Sequence, residues 1–443
     1  MSSDRGGGSL AFVLRALAYR NYRLFFGGQV ISLLGTWITT TATNWLVYRL
    51  TGSALLLGVV GFAGQFPAFL LGPVAGVFVD RHDRHRLLVA TQTVSMLQSF
   101  ALAALTLSGH VTVGWIIVLS VVQGMVNAFD MPTRQAFLIT MIERREDLGN
   151  AIALNSSMVN AARLIGPTIA GFVIAASSEG WCFLFDGISY VAVIIALLRM
   201  RDVRSTAPAV GHGSARAQLA EGFRYAFGFG PIRSIILLLA VVSLVGVPYS
   251  VLMPVFATDV FHGGPHTLGF LMTAAGCGAL VGALWLASRR SVRGLSRIIP
   301  IATSVFGGGL VLFSFASVFW LALPCLVVTG FGFMVQMASS NTVIQTIVDD
   351  EKRGRVMSFY MMAFLGTAPF GSLIAGWLSE KIGAQHTLLI GGICCLIGAA
   401  VFARALPGIR QSIRPIYVRL GILPEVTAGV AEAAALSVPP ERR

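Results

Sequence analysis

Two ionisable side chains stand deep inside apolar stretches of this chain. Arg163 lies in Ala161-Ala162-Arg163-Leu164-Ile165, and Asp186 lies in Phe185-Asp186-Gly187. A charge in hydrocarbon is costly and usually marks an ion or substrate path. Asp186 is the candidate proton carrier, a carboxyl able to take up and release a proton. Its plainer reading is a hydrated carboxylate capping a helix bend. Arg163 is the candidate cation for substrate or conformational coupling, or else a structural contact between helices. Pairing the two would require closing a depth difference of roughly 10 Å at the helical rise. Carbonyls of a broken neighbouring helix, Asn155 and Asn160 stand as other partners for Arg163. Asp259 is a lesser proton candidate, beside loop residues His262 and His266.

A second constellation could hold a solute. Gln29, Ser32, Thr36, Thr40 and Asn44 recur at spacings of three and four, so they share one face of a helix. Gln123 and Asn127, and Gln336 and Asn341, add polar groups in two further apolar runs. Trp37, Phe62, Phe66, Met253 and Met361 supply apolar and adaptable surface. Together they suit a bulky, partly apolar organic solute; simple hydrogen bonding between helices is the alternative for any one member. A third feature is Gly166-Pro167, which removes a side chain and a helix hydrogen bond at one place. The small face of Ala162, Gly166 and Ala170 lets a neighbour pack closely, either as a seal on a leak path or as ordinary small-residue packing.

Composition fixes the elements that must position these groups. Apolar types make up 55% of the 443 residues and charged types 12%. Soluble domains carry about 25% charged residues, so a water-soluble globule is excluded, and disorder with it. Apolar runs occupy 24–49, 54–79, 87–108, 113–133, 150–176, 181–198, 234–257, 267–287, 298–317, 319–341, 356–378 and 387–404. None alternates with a strand period, so the spans are helical. The five cysteines lie in or beside these runs without metal spacing and read as packing thiols. No phosphate-binding loop, zinc-protease pair, Gly-x-Ser-x-Gly elbow or haem motif is present, so no enzyme, metal or cofactor is expected.

Lys and Arg set the orientation. Of the 32 basic residues, 29 fall in alternate segments that include both termini. Arg49 and Lys381 are alone on the opposite face. Both ends are therefore expected in the cytoplasm, and the net charge of +13 needs no nucleic-acid partner. The expected organisation is an N-terminal segment 1–23, a six-helix bundle 24–199, a middle loop 200–233, a second bundle 234–405 and a tail 406–443. Ser205–Ala215 reads as a flexible linker. Leu219, Phe223 and Phe227, opposed by Gln218, Glu221 and Arg224, form an amphipathic helix expected on the inner leaflet. The proline-containing tail after Leu406 is expected to be loose.

The halves repeat. Gly166-Pro167-Thr168-Ile169-Ala170-Gly171-Phe172 aligns with Gly371-Ser372-Leu373-Ile374-Ala375-Gly376-Trp377 at an offset of 205. Leu148-Gly149-Asn150 aligns with Arg353-Gly354-Arg355 at the same offset. Such duplication places a substrate site at the membrane midplane, between halves.

With these motifs the chain resembles a Major Facilitator Superfamily transporter. Gly76, Asp80, Arg81 and Arg84 match the superfamily pattern G-x-x-x-D-R-x-G-R, with Asp83 where Gly is usual. Gly166, Pro167, Ala170 and Gly171 resemble the helix-5 signature of its proton-coupled exporters, Ala170 replacing a Gly. Ser32–Trp37, Trp45–Tyr48, Leu50–Ser53, Pro132–Ala136 and Cys182–Leu184 resemble its transmembrane secretion effector branch, which includes enterobactin exporters and macrolide efflux proteins. Ser120 stands where many proton-linked exporters carry a buried Arg, which points away from the common coupling route.

The resemblance implies an all-α polytopic protein of twelve transmembrane helices in two pseudo-symmetric bundles, a monomer in a bacterial inner membrane. It implies a secondary-active, proton-coupled antiporter that exports an amphipathic drug, siderophore or metabolite by alternating access. Alternatives are uptake or flipping of a lysolipid-like solute, and a transporter-like sensor that does not cycle. It also implies a latch, favouring the outward-facing state and broken during rocking, in which Asp80 faces the start of span 11 near Met357-Ser358. Asp130 is placed to pair with Arg84; a topology anchor in a solvated loop is the alternative for this cluster.

Overall fold

The computed structural model describes residues 14–201, 215–289 and 291–422. The expected linker from Ser205 to Ser214, the N-terminal residues to 13 and the tail from 423 lie outside the described residues. Among the described residues the chain is helical, without strands. After a short 3-10 turn at Arg15–Ala18 come α1 (Arg20–Thr51), α2 (Ala54–Arg81), α3 (Arg84–Leu107), α4 (Val113–Thr140), α5 (Arg145–Ala176) and α6 (Glu179–Leu198). The short α7 (Ala215–Gly228) leads into α8 (Gly230–Val260). Then follow α9 (Pro265–Ala287), α10 (Leu295–Ser314), α11 (Phe319–Ile347), α12 (Asp350–Ile382) and α13 (Ala384–Arg419).

Local chemistry sets the boundaries. The hydroxyls of Ser53 and Thr112 accept from the backbone N–H groups of Leu56 and Trp115, capping α2 and α4. The Asp83 carboxylate caps α3 in the same way, accepting from Arg86. Gly52 ends α1 in a left-handed conformation at φ 61°. α8 is broken by π turns at Val242–Gly246 and Phe256–Val260 and a 3-10 turn at Val247–Ser250. Pro248 and Pro254 lack the N–H groups that a regular helix would use there.

Among the described residues, eleven helices are long and apolar enough to cross a membrane, so the chain is a multi-pass membrane protein. α1, 32 residues long, is outside that set because its polar stripe lowers its hydropathy.

The packing repeats along the chain. α1 packs on α5 and α6, α2 on α4, and α3 on α4 and α6. In the second half α8 packs on α12 and α13, α9 on α11, and α10 on α11 and α13. The second set is the first displaced by one half. Only the seams α2–α12 and α5–α9 join the sets extensively, and they too exchange under the same displacement.

Two expectations change. The tail after Leu406 is not loose at first: α13 continues through Pro407 and Pro415 to Arg419, because Ile409, Ile413 and Tyr417 recur every four residues and are buried. The amphipathic helix α7 does not lie on the leaflet alone but docks on α12. Gly222 abuts Phe359 and Arg355, Phe223 meets Phe359 edge-on at 6.0 Å, and Lys352 sits 4.6 Å from the Tyr225 ring. Burial, and the nearby negative charge of Asp349, raise the Tyr225 phenol above its ordinary range. Leu219, Gln218 and Glu221 have side chains outside the described residues.

Candidate functional site

The two seams close one end of the molecule and leave the other open. On the α2–α12 seam a Cβ on Gly58 would stand 2.5 Å from the Ser372 carbonyl oxygen, and one on Gly376 would stand 2.9 Å from the Gly58 Cα. On the α5–α9 seam a Cβ on Gly269 would meet the Pro167 carbonyl at 2.7 Å, and one on Gly171 would meet the Pro265 carbonyl at 2.8 Å. Gly171 and Gly376 are partners in the 205-residue repeat, so the duplication occupies both crossings. Side chains bind the same end. The Tyr48 hydroxyl donates to Asp259 at 2.5 Å, Ser53 and the Leu55 N–H donate to Glu380 at 3.1 and 3.2 Å, and Thr168 and Thr273 share a 2.5 Å hydrogen bond. Within the N-terminal set, Arg49 donates to Glu179.

Toward the other end, which carries most of the arginines, the seams part. Leu70, Val74 and Phe78 of α2 and Met361 and Met362 of α12 are exposed. Among the described residues nothing lies within 4 Å of a Cβ at Gly72, Gly76, Gly149 or Gly354, the last two again repeat partners.

The latch residues lie at this open end, where the two sets are parted. The Asp80 side chain is 66% exposed and stands 3.9 Å from Arg84, one turn on; Ser358 donates to the Gly354 carbonyl of its own helix, and among the described residues no hydrogen bond or ion pair joins Asp80 to it. Arg81 is exposed beside it. Asp130 does not pair with Arg84. It is buried and takes a hydrogen bond from Arg134, from Thr91 at 2.9 Å and from Gln92 at 2.8 Å. The reason is reach: Arg134 is one turn along the same helix and needs no loop movement. Arg134 also donates to Gln29 at 3.1 Å. Gln29 is therefore buried in this network rather than lining a cavity, and α1, α3 and α4 are tied together.

A buried polar track continues along α3. Gln123 of α4 donates to Ser95 at 3.2 Å and to Asn127 at 3.1 Å. One turn further, Ser99 donates to Asp186 at 2.9 Å. Asp186 is buried among α1, α3 and α6; a Cβ on Gly35 would stand 2.5 Å from its free Oδ1.

Arg163 meets neither Asp186 nor the two asparagines. Its guanidinium lies over the rings of Trp37, at 5.5 Å, and Phe333, at 5.8 Å. Asn160 instead donates to the Ser156 carbonyl of its own helix. Gly166 explains the geometry: a Cβ there would stand 2.6 Å from the Trp37 Cβ, so its absence lets α1 place Trp37 against α5. Ala162 and Ala170 are buried on the same face, and Thr273 donates to the Leu164 carbonyl at 3.1 Å. Gly35 and Trp37 are about 200° apart around α1, so that helix stands between Asp186 and Arg163.

The other solute-binding candidates divide. Thr36 and Thr40 are exposed and Asn44, Gln123, Asn127 and Asn341 half-buried, with Asn341 accepting from Gln345. Gln336 and Met253 are fully enclosed, Gln336 donating to Ser340, so both are removed from the cleft wall. Phe62 and Phe66 stack at 4.7 Å, and Phe370 of α12 meets both edge-on.

Several residues here carry no sequence signal of their own. Phe333 and Phe370 are two phenylalanines among 29, and the Tyr48–Asp259 contact joins residues 211 apart. Arg134 did carry one, its four-residue spacing from Asp130. Among the described residues no group of three or more metal-binding side chains occurs.

The family model described as transmembrane secretion effector matches residues 13–414. The chain is 27% identical to the staphyloferrin A transporter of Staphylococcus aureus, over 86% of this chain and 95% of that one. It is 28% identical to the multidrug efflux pump Tap of Mycolicibacterium fortuitum (85% and 93%) and 22% identical to macrolide efflux protein A of Streptococcus pyogenes (85% and 95%). Its fold is similar to the inward-facing, unoccupied structure of a bacterial homologue of the human lysosomal transporter Spinster, with a TM-score of 0.70 and 15% identity over 89% of this chain and 98% of that one. It is likewise similar to an inward-facing bacterial homologue of the iron transporter ferroportin, with a TM-score of 0.66 and 16% identity over 87% and 98%. A polytopic helical fold, a cleft closed at one end only, and a match spanning nearly the whole sequence lead to one conclusion: the chain is a membrane transporter, not an enzyme, and belongs to the transmembrane secretion effector family of the Major Facilitator Superfamily.

Proposed function

We propose that this protein is a secondary-active exporter of an amphipathic organic solute, working by alternating access in a bacterial inner membrane. The observation that carries the reading is the one-sided cleft: both seams are sealed by repeat-related glycine crossings at one end and parted at the other. With α1 counted as a span, twelve helices form two six-helix bundles, and the arginine distribution puts both termini and the cleft opening in the cytoplasm. A solute then enters from the cytoplasm, and rocking of the bundles about the seams presents it outside.

The proton gradient is the proposed driver. Asp186 is the proposed carrier, because it is a carboxyl buried beside α1 with one oxygen unpaired and a polar track of Ser99, Gln98, Ser95 and Gln123 leading away from it. Relatives of comparable length are named for transport of a siderophore and efflux of macrolides and several drugs, which supports a cargo of that general kind.

The test is solute flux in inside-out vesicles after an acid or alkaline jump. Uptake that follows the imposed gradient, and falls at least tenfold in Asp186→Asn, is the expected outcome. Flux unaffected by the gradient would remove proton coupling, and no flux of any siderophore, macrolide or dye would remove the exporter reading.

A further inference from the structure

We infer that the cargo carries an anionic group and that Arg163 is the residue that holds it; this rests on the exporter reading above. Among the described residues Arg163 is the one cation placed mid-helix in a spanning segment at the seam between the sets. Among the described residues, every acidic group within the spanning helices or at their ends is engaged or distant. Asp186 lies across α1 and accepts from Ser99. Asp130 is bound by Arg134, Thr91 and Gln92. Asp80 is at the open end. Asp259, Glu179 and Glu380 are at the closed end, accepting from Tyr48, Arg49, and Ser53 with Leu55. The guanidinium is positive at any physiological pH, so its charge stays uncompensated until something brings an anion.

The neighbouring rings fix how it can bind. Trp37 from the N-terminal set and Phe333 from the C-terminal set contact the guanidinium through their π faces. Rings make no hydrogen bond to the N–H edge, and among the described residues that edge has no acceptor. A carboxylate matches it with two parallel hydrogen bonds. The site is at the closed base of the cleft, since Thr168 and Thr273 join the sets about one turn beyond it. The Phe62, Phe66 and Phe370 cluster on the other seam supplies an apolar wall for the rest of the solute. A cationic amphiphile meets like charge here.

Three fluorescent coumarins of one body, bearing a carboxylate, a carboxamide or a trimethylammonium group, test this on the purified full-length chain. Binding is read by anisotropy in detergent, and transport by uptake into inside-out proteoliposomes. The carboxylate is expected to bind on the order of tenfold tighter than the carboxamide, with the ammonium weakest. Arg163→Gln is expected to erase the carboxylate advantage while carboxamide binding persists, and Arg163→Lys to keep part of it. Persisting carboxamide binding shows that the variant is folded. Equal binding of all three, preference for the ammonium, no binding by any up to millimolar concentration, or an unchanged ratio in Arg163→Gln overturns the inference. Uptake of the carboxamide or ammonium coumarin without charge preference sinks this inference alone. Carboxylate binding lost in Arg163→Gln, with no uptake under any gradient, upholds it and sinks the exporter reading.

Discussion

At the residue scale, burial separates two aspartates that a motif would group together. Asp80 is exposed and its contact with Arg84 is long, so the pair contributes on the order of 0–1 kcal/mol to stability. Asp130 is enclosed, and its removal strands the Arg134 charge, which costs about 3–5 kcal/mol when such a partner is buried; the partial exposure of Arg134, 27% of its side chain, places the expected loss at the lower end. Asp130→Asn should therefore lower the melting temperature clearly and Asp80→Asn should not, as read by thermal unfolding of purified protein. Equal shifts would contradict the assignment. Gly166→Leu should cost about 1–3 kcal/mol through overpacking against Trp37 and also weaken binding at Arg163, because the ring can no longer lie there. The sequence shows Arg163 and Asp186 as unusual residues in apolar runs, and it shows Gly166 as a place of close approach. What it does not show is which helix face each one meets. That depends on how α1 is rotated, and α1 turns Trp37 to one charge and Gly35 to the other.

At the scale of elements, α1 is the informative case. Its polar residues lie on one face by spacing, yet Gln29 is used to bind Arg134 while Thr36 and Thr40 are exposed. The periodicity identifies the stripe, but the depth at which neighbouring helices diverge decides which members are wet. The closed end offers a test. Asp259→Asn combined with Glu380→Gln removes charge from the acceptors of three bonds that cross between sets. The double variant should become more reactive to a membrane-impermeant maleimide applied from outside at a cysteine replacing Ala54, a buried residue at the same end. Unchanged labelling would show that these bonds do not hold the end shut. At the N-terminus, Arg15 and Tyr19 both bind Asp147 at the start of α5. The hydrogen bond to that carboxylate raises the Tyr19 phenol above its ordinary range. The contribution of this strap is thus present below the usual phenol range and is lost as pH rises through the raised value. Hydrogen exchange across the Arg15–Ala18 turn should accelerate in Tyr19→Phe at neutral pH and, in the native chain, only under strongly alkaline conditions. The helical extension of α13 should likewise be structural: a stop after residue 405 should destabilise the C-terminal set, since Ile409, Ile413 and Tyr417 lose their burial.

At the scale of the whole molecule, the duplication was legible in a seven-residue match, and the structure gives that match a place. Its second glycines, Gly171 and Gly376, lie at the seam crossings, while Gly166 and Gly371 pack within their own sets, and the pairings of helices repeat around them. The break in α8 was not legible, because its residues are as apolar as those of a regular span and the π turns arise from packing around Pro248 and Pro254. Spin labels at Gly149 and Gly354, at the open end, should report a shorter and narrower distance distribution when transport is driven toward the outward-facing state. A distribution indifferent to solute and gradient would favour a protein that does not cycle.

The glycine crossings have a final consequence. Where Gly58 meets Gly376 and Gly171 meets Gly269, backbone rests on backbone with no side chain between. Yet such faces adhere only by dispersion, and few hydrogen bonds reinforce them. They resemble ground-glass joints, close-fitting but unglued, and under the proposed rocking motion a contact of that kind could part and re-form without any side chain having to be rebuilt.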